Sequence, residues 1–300
     1  MRINNNITAL NSHRQYGINN KNIAKNVEKL SSGYRVNRAA DDAAGLAISE
    51  KMRSQIRGLN MASKNSQDAV SLVQTAEGGM QTIQNILQRM RELAVQSASD
   101  TNQDTTDRQA LQLEVDQLIA EIDQIADTTE FNKMKLLNGS DGISGMTSGS
   151  VFGSPSGGVI QAGANEGQTM TIYINDMSAS GLGVHTISSG VTGSIAQTVG
   201  LGGIGLQTAA AAAIASIDIA LDKVSLERAR LGAYQNRLEY KIENLDNQAE
   251  NVSAAESRIR DVDMAKMMTE FTRNNILFQA STAMLAQANA LPQGVLQLLG

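Results

Sequence analysis

Two stretches of this chain hold apolar side chains at alternating three- and four-residue intervals for more than forty residues each, and a glycine-rich tract separates them. In the first, Ile48, Met52, Leu59, Ala62, Ala69, Val73, Ala76, Met80, Ile83, Leu87, Met90 and Ala94 share one heptad frame, interrupted by Gln55 and Ser66. The second holds Ile217, Leu221, Val224, Leu231, Leu238, Ile242, Leu245, Ala249, Val252 and Ile259, with Arg228, Gln235 and Glu256 as polar insertions. Apolar residues recurring about every 3.5 positions draw a narrow stripe along a helix, and so long a stripe is buried only against another long helix. The fold expected is therefore mainly α, a long coiled-coil helical rod formed by N- and C-terminal segments with a small β-rich middle region. At about 1.5 Å per residue such helices run roughly 60 to 70 Å, far beyond the ~11 to 12 residues of an ordinary globular helix. Rods of this kind scaffold more often than they catalyse.

Composition closes off most chemistry. Phe, Tyr and Trp make up 3% of the 300 residues and Trp is absent, so Ala, Leu, Ile, Val and Met must carry the burial. With no cysteine there is no disulfide, thiolate metal site or thiol nucleophile. His13 and His185 are the only histidines, too few for a three-histidine zinc site or a histidine acid-base network. No catalytic residue, cofactor or metal is expected. The opening MRINNNITALNSHRQYG lacks an apolar signal-peptide core and no 18-residue apolar run follows, so neither a cleaved signal nor membrane insertion is expected. Residues 1–38 carry seven basic side chains against Glu28, and residues 242–263 carry six acids against Arg258 and Arg260. These arms are complementary in sign. The pI near 5.2 and the missing stacking aromatics argue against nucleic acid.

The middle is built differently. Of 26 glycines, 17 fall between Gly139 and Gly205, and no Lys or Arg occurs from Leu136 to Asp222. Asn138 and Gly139 give a turn signal, and Met170, Ile172 and Ile174 alternate with Thr171 and Tyr173 as a half-buried strand does. A small β cap with mobile loops is expected, and the tract 153–163 reads as open to insertion. Ahead of it, Leu111, Val115, Leu118, Ile122 and Ile125 mark a third helix that Asp104 or Asp107 can cap. Gly78 and Gly79 interrupt the best heptads and predict close backbone packing there. Gly200, Gly202 and Gly205 match a dinucleotide fingerprint by accident, with no preceding buried strand.

The two ends carry weaker frames. Ile23, Val27, Leu30 and Tyr34 predict a separate helix that stops at Ser31, Ser32 and Gly33, with Asp41 or Asp42 capping the next. At the other end Met264, Met268, Phe271, Phe278 and Leu285 share one frame, while Leu277, Met284, Leu291, Val295 and Leu298 occupy others. The last 27 residues have no charge. Apolar surface on several faces needs several neighbours, and Gln279, Gln287, Asn289, Gln293 and Gln297 interrupt it too often for a membrane. Burial among copies of the same chain remains.

In this order the segments resemble the bacterial flagellins. The resemblance is carried by LSSGYRVNRAADDAAGLAISEKMRSQIRGL (30–59), LQRMRELAVQSA (87–98), EFN (130–132), and AENVSAAESRIRDVDMAKMM (249–268) continuing to the terminal LPQGVLQLLG. It covers residues 1 to about 140 and 206 to 300. The family implies a filament subunit serving motility, with paired terminal helices in an inner tube and coiled-coil helices in an outer one. It also implies the division 1–41 and 257–300 (inner), 42–140 and 206–256 (outer) and 141–205 (variable). The partners it implies are other copies of the chain, a flagellar capping protein, hook-associated junction proteins, a cytoplasmic export chaperone and the flagellar type III export apparatus, which sends the chain out without a cleaved signal. Residues expected at self-assembly contacts are Ile23, Val27, Leu30, Phe271, Phe278, Met284, Leu285, Leu291, Val295 and Leu298. By the same resemblance, Arg89, Leu93 and Glu114 match positions recognised by the host Toll-like receptor for flagellin. The middle is short, which reduces the outer surface and leaves no room for an enzymatic insert. The rival expectation is a hook-filament junction protein, present in few copies.

Overall fold

The computed structural model describes residues 6–99, 105–139, 158–185 and 207–299. Its elements are α1 (Ile7–Ser32), α2 (Ala43–Ala98), α3 (Thr105–Thr128), the ribbon β1 (Glu130–Phe131) and β2 (Met134–Lys135), the hairpin β3 (Gly158–Gln161) and β4 (Thr169–Ile172), the short α4 (Ala179–Leu182), α5 (Gln207–Arg260) and α6 (Met264–Leu299). The ends of the helices follow local chemistry. Asn6 caps α1 by accepting from the Ala9 N–H at 3.1 Å, and Gly33 ends it at φ 74°, where a side chain would be strained. Of the two aspartates expected before α2, Asp42 takes the capping role, accepting from the Gly45 N–H at 2.8 Å. Asp41 instead accepts the N–H groups of Asn37 and Arg38. The expected cap of α3, Asp104 or Asp107, and the glycines 200–205 lie outside the described residues or their described side chains.

The chain divides into two compact units, residues 1–56 with 249–300 and residues 57–248. In the second unit the heptad frames are realised. Leu59, Ala62, Ala69, Val73, Ala76, Met80, Ile83, Leu87, Met90 and Ala94 of α2 are buried, as are Ile217, Val224, Leu231, Leu238 and Leu245 of α5. Ser66 is buried without penalty because its hydroxyl donates to the Ala62 carbonyl at 2.8 Å. On α3, Ile119 and Ala126 join Val115 and Ile122 inside, while Leu111, Leu118 and Ile125 are partly covered. The α3 face is thus wider than a two-position stripe, as suits a helix lying against more than one neighbour. Arg228, a polar insertion in the α5 frame, reaches Glu77 and Gln84 of α2 and ties the two helices across their seam.

The β segments pack against this unit instead of standing clear of it. Met170, Ile172 and Ile174 point into the same core as the helices while Tyr173 stays exposed, which is the alternation read from the sequence. The Met177 N–H donates to the Leu137 carbonyl at 2.8 Å, the Ala179 N–H to Asp123 at 2.8 Å, and Lys223 donates to the carbonyls of Gly181 and Leu182. Glu227, almost wholly buried, accepts both the backbone N–H and the side-chain amide of Asn175 and pairs with Arg230. The expectation that 153–163 is open to insertion needs correction. β3 pairs with β4 over 158–161, with Gly158 opposite Ile172, and a Cβ at Gly163 would meet Gln168. Residues 153–157 lie outside the described part.

Gly78 and Gly79 separate cleanly. A Cβ on Gly79 would sit 2.8 Å from Leu137 Cδ1 and 2.9 Å from Thr129 Oγ1, while one on Gly78 meets nothing within 4 Å. Leu137 is fully buried and has little room to give. Gly79→Ala is expected to destabilise the unit by about 1 to 3 kcal/mol through overpacking. Gly78→Ala should instead be neutral or stabilise by up to about 1 kcal/mol. Thermal melts of the two variants check this, and equal effects would contradict it.

In the first unit α1 and α6 run antiparallel. The side-chain amide of Asn6 donates to the Ala288 carbonyl at 2.8 Å, and that of Asn19 to Ser281 Oγ at 2.8 Å. Near the close of the pair the Val262 N–H donates to the Gly33 carbonyl at 3.0 Å, and the Arg35 N–H to the Arg260 carbonyl at 2.7 Å. The Arg260 guanidinium lies 4.8 Å from the Tyr34 ring centroid and also hydrogen-bonds Glu50. The sign complementarity expected of the arms is not used in this way: among the described residues no base of 1–38 pairs with an acid of 242–263.

Three carboxylates are held below their ordinary range: Glu50 by hydrogen bonding from Arg260, Asp127 by Lys135 and then Asn138, and Asp41 by the Arg38 backbone N–H. A folded-state pKa below the unfolded one means the contribution is complete above the ordinary carboxylate range and is lost as pH falls through the folded value. Melts in a pH series should therefore be flat above about pH 5 and decline below about pH 4. Added salt should flatten the decline, because all three groups are exposed.

Candidate assembly and recognition surfaces

The less exposed positions of α1 recur as Ala9, Ser12, Tyr16, Asn19, Ile23, Asn26, Leu30 and Gly33, a strict alternation of three and four. Facing them on α6 are Met267, Phe271, Asn274, Phe278, Ser281, Leu285 and Ala288. Each helix thus carries two seam columns, one with aromatic and branched side chains and one that is largely small or polar. Tyr16 and Phe278 meet with ring centroids 4.9 Å apart. Of the residues expected at assembly contacts, Ile23, Leu30, Phe271, Phe278 and Leu285 lie half-buried in this seam within the chain. Val27 and Met284 point outward, at 47% and 63% exposure. The side chains of Leu291, Val295 and Leu298 lie outside the described part, although α6 continues through them.

The sequence frame placed Val27 in the seam, whereas the structure buries Asn26 and turns Val27 out. Asn26 is the one buried residue of α1, and on α6 only Asn274 and Ala288 reach that depth among the described side chains. A frame that follows the most apolar residue misses such a seam. The signal that could have found it is the heptad spacing of Ser12, Asn19, Asn26 and Gly33, and of Asn274, Ser281 and Ala288. What the pair leaves outside is apolar: Ile7, Leu10, Ile18 and Val27 on α1, and Met264, Met268, Ile276, Leu277 and Met284 on α6. Burial of apolar area is the main favourable term in association, so these faces are suited to meeting further protein.

The second candidate surface lies in the other unit. Arg89 donates to Glu114 from Nε at 2.9 Å and from Nη2 at 2.8 Å, and to Glu92 at 3.2 Å. Glu114 hydrogen bonding, followed by that of Glu92, raises the Arg89 pKa further above its already high value, so the charge is permanent. Both Arg89 and Glu114 stand in solvent. Leu93 does not join them. It is 1% exposed, within the core formed with Met90 and Val115, and is not available to an outside partner in this chain. Any recognition at this place rests on Arg89 and Glu114, with Leu93 beneath them as packing.

Among the described residues no cluster of His, Asp or Glu could hold a metal ion, and no helix is long and apolar enough to cross a membrane. The family model "Bacterial flagellin N-terminal helical region" matches residues 3–141, and "Bacterial flagellin C-terminal helical region" matches residues 214–299. Over its whole length, and the whole of each relative, the chain is 52% identical to flagellin of Bacillus subtilis (strain 168) and 52% identical to flagellin of Halalkalibacterium halodurans. It is also 49% identical, again over both full lengths, to the flagellar filament 31.3 kDa core protein of Treponema maltophilum.

Proposed function

This chain belongs to the bacterial flagellins, and from that premise we infer that its α1 and α6 arms join it to other copies of itself as a structural subunit of the extracellular flagellar filament. The family is structural and not enzymatic, in keeping with the motility role expected of the chain. The observation that carries the assignment of the arms is their inverted burial. The deepest positions of the pair are Asn26, Asn274 and Ala288, while nine large apolar side chains of the two helices face outward. A pair built this way gains little by folding alone and much by stacking on its like.

The finer assignments follow from membership. Segments 1–41 and 257–300 supply the inner layer of the filament, 42–140 and 206–256 the outer layer, and 141–205 the outermost surface. Export proceeds through the flagellar type III apparatus without a cleaved signal, a cytoplasmic chaperone covers the C-terminal arm before export, and the capping and hook-associated junction proteins bound the growing filament. Arg89 and Glu114 form the surface offered to the host Toll-like receptor. The direct test is polymerisation: purified chain, heated, cooled and supplied with short filament seeds, should extend them in electron micrographs. Chain that stays monomeric with competent seeds contradicts the reading. The junction-protein alternative predicts few copies in sheared surface filaments, where a filament subunit dominates.

A further inference from the structure

We propose that Asn19, Asn26, Asn274 and Ser281 form a polar ladder that sets the axial register of α6 against α1, and that the pair gives up stability to gain that register. The inference rests on the filament reading, since a single register is what makes every subunit alike. Asn19 lies opposite Leu277 and Ser281, to which its amide donates. Moving seven residues along α1 to Asn26 moves seven back along antiparallel α6, to 270 and 274. Asn26 and Asn274 therefore come to the same level of the seam, and both are more than nine-tenths buried. The Asn26 Nδ2 atom is buried with no hydrogen-bond partner.

An amide kept at the deepest point of a helix pair is costly, so packing alone does not account for it. It does account for register. A slip of one turn, about 5.4 Å, would carry Asn26 and Asn274 against the column of Phe271, Phe278, Ile23 and Leu30, and bury amides on hydrocarbon. A slip of a full heptad would keep polar opposite polar. Any slip gives up the backbone hydrogen bonds that join Gly33 to Val262 and Arg35 to Arg260 at the other end of the pair. The heptad slip also uncovers about two turns of each helix, so the ladder's part is the added penalty on the shorter slip. Buried asparagine fixing the alignment of paired helices at a cost in stability is a general device.

The chain has no native cysteine, so two spin labels can be placed at will. Labels at Lys21→Cys and Asn275→Cys, both exposed, report the register by their separation when labelled chain is diluted into filaments of unlabelled chain. The parent ladder should give one narrow distance. With Asn26→Leu and Asn274→Leu together, which keep the branched shape and remove the polarity, a second population displaced by about one helical turn is expected. Asn26→Ser with Asn274→Ser, which repeats the hydroxyl already present at Ser281, should keep a single register. A leucine chain with one unchanged distance overturns the proposal, as does a serine chain that slips to the same extent. If the leucine chain alone is refused by filaments, polarity is upheld as the requirement; if both are refused, the proposal fails. A parent chain that enters no filament contradicts the filament reading instead.

Discussion

A chain lacking residues 271–300 is expected to keep the melting transition of the 57–248 unit and to form no filaments. The described core of that unit draws on nothing beyond Leu245, so the heptad packing of α2 with α5, the α3 face and the docked β hairpin remain intact. What the truncation removes is the aromatic column of α6, leaving Tyr16, Ile23 and Leu30 of α1 uncovered, together with the outward side chains Ile276, Leu277 and Met284. Assembly loses its surface on one arm and its ordering on the other. Circular dichroism melts give the first half of the prediction and seeded growth the second. Filaments of ordinary appearance from this truncation would show that the C-terminal arm is dispensable.

Leu87→Ala is expected to cost the 57–248 unit about 2 to 5 kcal/mol, because Leu87 is fully buried in the shared core cluster, whose close packing collapses only partly into the space left. For a unit of this size that corresponds to a fall in Tm of roughly 4 to 20 °C. Arg89→Ala, two residues on, should leave Tm near that of the parent. Its hydrogen bonds to Glu114 and Glu92 are made in solvent, where such pairs contribute little to stability. If Arg89 faces the immune receptor, Arg89→Ala should nevertheless reduce signalling by soluble chain, since truncated interface arginines forfeit charged hydrogen bonds. Melting and a receptor reporter assay on both variants separate the two roles. An Arg89→Ala chain that melts far below the parent, or that signals equally when folded, shows that Arg89 does not face the receptor.

The seams of α2 and α5 were legible because most of their buried positions carry apolar side chains at a constant interval, and buried polar groups such as Ser49, Ser66 and Glu227 are tolerated through hydrogen bonds. The capping residues were legible for a similar reason: Asp42 and Gly33 perform chemistry that few other residue types can. Only half of the α1 and α6 seam was legible: Ile23, Leu30, Phe271, Phe278 and Leu285 fall in it, whereas hydropathy selects Val27 and Met268, which face outward, and passes over the buried Asn26 and Asn274. Docking of the β region was hidden for another reason. It depends on Asn175 meeting Glu227 and on Asp123 meeting the Ala179 N–H, single polar contacts between residues more than fifty positions apart. No periodicity announces such contacts. Leu93 shows the reverse error, a position singled out by resemblance whose side chain belongs to the core.

Assembly through the outward apolar faces of α1 and α6 is read directly by a reconstruction of the filament by electron cryo-microscopy. Ile7, Leu10, Ile18 and Val27 of one subunit, with its Met268, Ile276 and Met284, should lie against side chains of neighbouring copies, so that few of these residues keep the exposure they have in the single chain. A reconstruction in which those residues stay in water, while subunits meet through the 57–248 unit alone, would contradict it.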